Sequence, residues 1–381
     1  MGDPRAASPS EQARLFLTNW LFSPLDGVRL QDWLRLLARH GGSIPPRYWA
    51  KVAFTSGMGA LNSFMEPIER LRFEGRLARQ RVVAPVFVLG HHRSGTTHLW
   101  NLLTQDPRFA YPSILQAVFP HTFLSMERLV RVLARPFTIR KRPQDNVEIN
   151  PDSPVEEERA LCAATFCSIQ MARHFPARRA RFEKYLTMRE AQEEERVAWK
   201  DAFSHFARKL VLRHGADRRL IFKSPDHTGK MRLLLELFPD ARFVHIHRHP
   251  FRVFNSTLKM ERTTQPIYAY QTARKEELED FVLWRYRTMY DAYFEDAPKV
   301  PEGQLAEVSF EDLDERPVET IEQVYQALGL PDFSVARSSL EAYVASLAGY
   351  RKNSFPDLPL DTKDRIRRAW EPSFERWGYA A

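Results

Sequence analysis

The sequence predicts an α/β fold: a mainly parallel central sheet flanked by helices, with a helical N-terminal region ahead of it. Three observations predict it. From about residue 80 short apolar runs alternate with amphipathic stretches, the first run leads into a glycine-bearing turn, and the residues before it carry helical rather than strand periodicity.

In the N-terminal region, Ser8 to Glu11 read as a capping box with Pro9 at the first helical position, followed by the apolar run Leu15 to Phe22. A second helix follows, with Leu30, Trp33, Leu34 and Leu37 at helical spacing, arginines at 29, 35 and 39 among them, and Gly41-Gly42 as its stop. Such a stripe is expected to pack on the protein's own core, while its basic character also suits a peripheral membrane contact through the N-terminal helices.

Ala84 to Gly90 is the first strand, leading into a helix from about Thr97 to Thr104. Leu220 to Lys223, Ala241 to His247 and Gln304 to Phe310 are the further strands. The stretches 230–238, 251–259, 276–293 and 317–328 are the helices between and after them. Alternation of this kind builds βαβ units, a sheet buried on both faces, and ligand sites at the carboxyl ends of the strands. The acidic runs 156–158 and 193–195 are expected on solvated helix faces. The organisation expected is a helical region 1–80 and an α/β domain 81–381 carrying a helical insertion at about 111–215.

The 381 residues are 44% hydrophobic and 27% charged, which excludes disordered, collagen-like and disulfide-rich classes. There is no long uncharged apolar run and no signal-like start. The two cysteines, Cys162 and Cys167, form neither a disulfide framework nor a four-ligand zinc set, so a reducing, cytoplasmic setting is expected. A net charge of +8 favours anionic partners: nucleotides, nucleic acid, acidic sugars or a membrane surface.

The most informative segment is Gly90-His91-His92-Arg93-Ser94-Gly95-Thr96-Thr97. Between strand and helix it has the frame of a phosphate loop, in which backbone N–H groups and the helix N-terminus cradle an anion. A Walker loop needs Lys and then Ser or Thr after the second glycine. Here Thr96 and Thr97 follow Gly95, and the cation, Arg93, lies inside the loop.

His92 to Thr97 resembles the 5′-phosphosulfate loop of sulfotransferases that use 3′-phosphoadenosine-5′-phosphosulfate (PAPS), with His92 where that family has proline. Phe243 to Pro250 followed by Ser256 resembles the family's 3′-phosphate signature, with Arg248 and Ser256 at the matching positions and His249 where relatives often have Asp. Lys223-Ser224-Pro225 and Arg351-Lys352 resemble two lesser segments, the second a basic pair that closes over the 3′-phosphate. The resemblance implies a P-loop-like sulfotransferase fold and sulfuryl transfer to a hydroxyl or amine without a metal. Arg93 would act on the bridging oxygen, Ser94, Gly95, Thr96 and Thr97 would hold the 5′-phosphate, and Arg248, Ser256, Arg351 and Lys352 the 3′-phosphate. Arg pairs bidentately with phosphate, so Arg248 would select PAPS over ATP.

Relatives place a Glu or His as the base after the loop. Gln116 stands near where many carry Glu, which leaves His121 as the first candidate, because an imidazole titrates near neutral pH. Glu157 or Glu158 of the acidic run is the second, and His227 a third. The alternating His245, His247 and His249 suggest a metal but lack a completing ligand. The basic stretch 128–142 lacks the regular aromatic interleaving of a nucleic-acid binder, so no nucleic-acid partner is expected. The acceptor expected is a small molecule, a lipid or a glycan. A P-loop kinase or NTPase, or a non-catalytic module binding a membrane or acidic polymer, is the alternative.

Overall fold

Side chains alternate between two buried faces of the sheet. In β1 (Val86–Leu89) every residue is buried, and Phe87 points to one face while Val86 and Val88 point to the other. Phe87 stacks on its register partners Phe222 and Phe243 at 5.4 and 5.7 Å between ring centroids. Removing this ring would cost about 3–5 kcal/mol. The computed structural model describes residues 25–40, 44–134, 151–272, 277–347 and 357–380. The expected cap at Ser8, the run to Phe22, the stop at Gly41-Gly42, the end of the basic stretch from Arg135 to Arg142 and the pair Arg351-Lys352 lie outside the described residues.

The other strands are β2 (Phe109–Ala110), β3 (Arg219–Lys223), β4 (Arg242–His247) and β5 (Leu305–Ser309). They form a five-stranded sheet in the order β2-β3-β1-β4-β5, with every pairing parallel. The order reverses at β1, and open α/β sheets hold their ligands in the crevice beyond the carboxyl ends at such a point. β2 has only two residues, too short for its apolar pattern to show in the sequence.

The helices that matter here are α1 (Leu30–His40), α2 (Trp49–Leu77), α3 (Thr96–Leu103), α4 (Glu158–Thr165), α5 (Glu193–His214), α6 (Met231–Leu237), α7 (Pro250–Tyr268), α8 (Leu278–Asp296) and α9 (Pro317–Ala327). α3 and α9 cover the Val86/Val88 face, whereas α5 and α8 cover the Phe87 face.

α1 packs on this second core, as its stripe predicts, through Trp33 and Leu36. Trp33 Nε1 donates to Ser56 Oγ at 3.0 Å. One stripe residue is misassigned: Leu34 is exposed and Leu36 takes the inward position, because α1 rotates to bring Trp33 against Tyr270. The run 156–158 is a second correction, since Glu157 and Glu158 are fully buried rather than solvated, held by cations described below. Cys162 and Cys167 are free and buried.

Candidate functional site

β1 ends at Leu89, and the chain turns over the carboxyl edge through backbone that few side chains tolerate. Gly90, Arg93 and Gly95 have φ of 135°, 70° and 108°. A Cβ on Gly90 would lie 2.4 Å from Ile246 O of β4, and one on Gly95 2.5 Å from the Phe310 ring. The loop is braced from outside, Gly90 N donating to Thr228 Oγ1 at 2.7 Å and His91 N to Tyr290 OH at 3.2 Å. Gly95 caps α3 with no side-chain acceptor, and the helix's own bonding begins with Leu99 N to Gly95 O, so the preceding N–H groups point out of the helix end. The strand, glycine turn and helix start follow one another as the sequence predicts. Ser94 is the exception among the loop residues expected to hold an anion, because its hydroxyl turns inward to His91 O at 2.8 Å. Thr96 is buried, while Arg93 and Thr97 are partly open.

β4 runs beside β1, and its end brings the second signature onto the loop. Arg93 Nε donates to Ser256 Oγ at 2.9 Å, and Arg248 Nη1 reaches Arg93 O at 3.5 Å. Arg248 lies 3.9 Å over the Phe310 ring. Burial, Arg93 and Arg252 disfavour the charge on Arg248, against a favourable Glu311. Guanidiniums gathered at a strand end and a helix N-terminus are relieved by an anion.

On the other side of β1, Lys223 ends β3 and donates to Glu156 Oε1 at 2.7 Å. Burial would raise the Glu156 carboxyl, but Lys223 and His92 overcome it and hold it at about 2. Glu157 accepts from Lys223 N at 3.2 Å and lies 2.7 Å from His227 Nε2. Glu158 takes Lys230 at 2.9 Å and Ser168 at 2.7 Å. Of the three carboxylates, Glu157 and Glu158 have no exposed side chain, while Glu156 keeps 23%. His227 is enclosed by Glu157, Phe203 and Trp199.

His121 stands elsewhere. It follows the short helix Ile114–Val118 and tucks between α2 and α5, with Nδ1 3.9 Å from Glu66 Oε1, and no contact among the described residues joins it to the phosphate loop. Burial, with Arg29 and Lys209 nearby, lowers it to about 3. It lines a cavity of about 740 Å³ walled by α1, α2, α4 and α5, floored by Leu161, Phe182 and Phe206 and rimmed by charged side chains. Its location sets it apart from the loop, whereas Glu156 lies at the carboxyl end of β3 beside Lys223. His245 and His247 both stack on Trp377, and among the described residues no three His, Cys, Asp or Glu side chains gather as a metal site.

Sequence reasoning misses Arg285. This buried guanidinium on α8 bonds His92 of the loop, Asp226 at 2.5 Å and Glu261 of α7 at 3.2 Å, while Arg173 also grips Glu261 at 2.5 Å. It thereby joins the loop to the segment after Lys223 and to the helix bearing Ser256. The signal in the sequence is a charge within the apolar stripe Val282, Tyr286, Met289.

A model described as the sulfotransferase family matches residues 85–334. The omega-hydroxy-beta-dihydromenaquinone-9 sulfotransferases Stf3 of Mycobacterium bovis and Mycobacterium tuberculosis are 30% identical over 356 residues, covering 93% of this chain and 90% of theirs. Sulfotransferase STF9 from Mycobacterium avium shares the fold, with a TM-score of 0.72 at 16% identity over 99% of this chain and 98% of that one. STF1 from Mycobacterium tuberculosis does so with a TM-score of 0.65 at 18% identity over 96% and 99%. With its loop, its crossed signatures and a match over most of its length, the chain belongs to the sulfotransferase family.

Proposed function

We propose that the protein transfers the sulfuryl group of PAPS to the hydroxyl of an acceptor with a large apolar body. The observation that carries this reading is the convergence of Arg93, Ser256 and Arg248 beside the N-terminus of α3. Two anion-binding elements meet there, as a nucleotide with both a 5′-phosphosulfate and a 3′-phosphate requires. The kinase alternative is not favoured, since the loop has no lysine for the β- and γ-phosphates.

In this reading the loop N–H groups hold the 5′-phosphate and Arg93 faces the bridging oxygen, where negative charge develops. Arg248 and Ser256 hold the 3′-phosphate. The acceptor oxygen forms its bond to sulfur as the bond to the bridging oxygen breaks, releasing 3′-phosphoadenosine-5′-phosphate. We assign the acceptor's proton to Glu156, the carboxylate of the trio with an open side chain. A donor anion against Lys223 shares that charge and brings Glu156 back toward its ordinary range. Glu157, closed between Lys223 N and His227, positions the strand end.

The cavity supports an acceptor with an apolar body. α4 runs from the acidic trio into the cavity wall, with Leu161 about 6 Å along the axis from Glu157. The name of the 30%-identical relatives, a menaquinone derivative with a terminal hydroxyl, supports a lipid alcohol. The test is transfer of radiolabelled sulfur from PAPS to long-chain alcohols against simple sugars. Turnover of the alcohols is expected; turnover of sugars alone would contradict the acceptor class, and none with either would contradict the reaction.

A further inference from the structure

α2 is built inside out. The residues it buries include Lys51, Thr55, Asn62 and Glu69. Each has a polar partner in the protein: Lys51 donates to Ile267 O at 2.9 Å, Asn62 to Asp26 O at 2.9 Å, and Glu69 pairs with Lys209 at 2.5 Å. The opposite face is apolar and open. Trp49, Phe64 and Leu71 are 63%, 70% and 89% exposed, and Leu61 and Ile68 are 39% exposed. At 100° per residue these five fall within about 120° of arc between positions 49 and 71, a stripe about 33 Å long. Ala53, Gly57, Ala60 and Pro67 fill the same arc, which contains no charged side chain.

A soluble helix places its apolar arc on the core and its charges in water. Here the buried polar contacts fix the helix in the reverse orientation, which leaves the stripe open to a partner. Charge selects the occupant. The helix and the turn after it expose Arg70, Arg72, Arg76, Arg79 and Arg81 against Glu74, and the whole chain carries +8. That excess attracts an anionic surface and opposes a second copy of the chain. An amphipathic helix with Trp and Phe on its apolar arc and arginines beside it suits the interface of a bilayer, lying in its plane. Among the described residues no helix is long and apolar enough to cross one.

We propose that α2 docks the protein peripherally on an anionic membrane through Trp49, Phe64, Ile68 and Leu71. This rests on the helix and its charges, and stands apart from the choice of donor or acceptor. The experiment is cosedimentation of the full chain with vesicles of phosphatidylcholine alone and with phosphatidylglycerol added, alongside sedimentation velocity without lipid. The comparison protein is the double variant Phe64→Ser, Leu71→Ser, whose folding is checked by its melting temperature and by 3′-phosphoadenosine-5′-phosphate binding. Expected are a monomer that pellets with the anionic vesicles, less so at high salt, and binding at least about tenfold weaker in the variant with nucleotide affinity unchanged. No binding to either vesicle would overturn the proposal. So would a lipid-free dimer that the double variant dissolves, which would assign the stripe to a second copy.

Discussion

Arg93 Nε donates to Ser256 Oγ at 2.9 Å across 163 residues of sequence, tying the loop after β1 to the helix after β4. The two strands are register neighbours, Leu89 opposite His245, so the bond follows from the sheet. Arg93→Ala is expected to lower turnover by about 10²–10³. Ser256→Ala should weaken 3′-phosphoadenosine-5′-phosphate binding roughly tenfold, because it removes one hydrogen bond to a charged group. Calorimetric titration of both variants checks this; unchanged affinity in the serine variant would separate the two signatures.

Glu156 and Glu157 should behave differently although they are adjacent. Glu156→Gln is expected to lower kcat by about 10²–10⁴, well beyond the modest fall in melting temperature that loss of the Lys223 pair brings. Glu157→Gln should cost about 1–3 kcal/mol of stability, because it disturbs a buried carboxylate facing Lys223 N and His227. Steady-state kinetics and thermal unfolding on the same preparations separate these effects. The reverse pattern would move the base to Glu157.

Arg285→Met leaves Asp226 and Glu261 short of a buried cation and should destabilise the fold by about 3–5 kcal/mol. Arg285→Lys keeps the charge but loses the fork that spans three partners. It should recover part of the stability while the KM for PAPS stays raised. Full recovery of KM by lysine would show that charge alone suffices.

Much of this site was legible because it is local. The glycine loop, Arg93 and the Arg248/Ser256 signature each sit within a few residues of a strand end, where pattern and chemistry coincide. Arg285, His92 and Asp226 were not, because their meeting depends on how α8 crosses the segment 225–230. The acidic run at 156–158 misled for the same reason: charge in sequence reads as solvent exposure, and its partners Lys223, Lys230 and His227 lie some 70 residues on. α2 shows the limit of hydrophobic patterning, since its apolar arc marks the face turned away from the core.

Stability should fall with acid from a near-neutral starting point. Burial, with Arg285 near His92 and Lys51 near His174, lowers His92 to about 4 and His174 to about 3 from an ordinary 6.5. Their folded values lie below their unfolded ones, so their contribution is complete above pH 6.5 and is lost as pH falls toward 4 and 3. Glu156, held at about 2 against an ordinary 4.5, adds a further loss below pH 4.5. Melting temperature against pH should be flat near neutrality and decline below about 6.5. A rise on acidification would contradict this assignment.

In the function proposed, the Arg93, Ser256 and Arg248 convergence reads a nucleotide with a 3′-phosphate. Thermal unfolding with 3′-phosphoadenosine-5′-phosphate, ADP, and ATP with and without magnesium tests it most directly. At 100 times its dissociation constant a ligand adds about 2.7 kcal/mol to the native state. A rise in melting temperature with 3′-phosphoadenosine-5′-phosphate alone, indifferent to magnesium and reduced in Arg248→Ala, is the result predicted. A rise only with ATP and magnesium, or an equal rise with ADP, would contradict it.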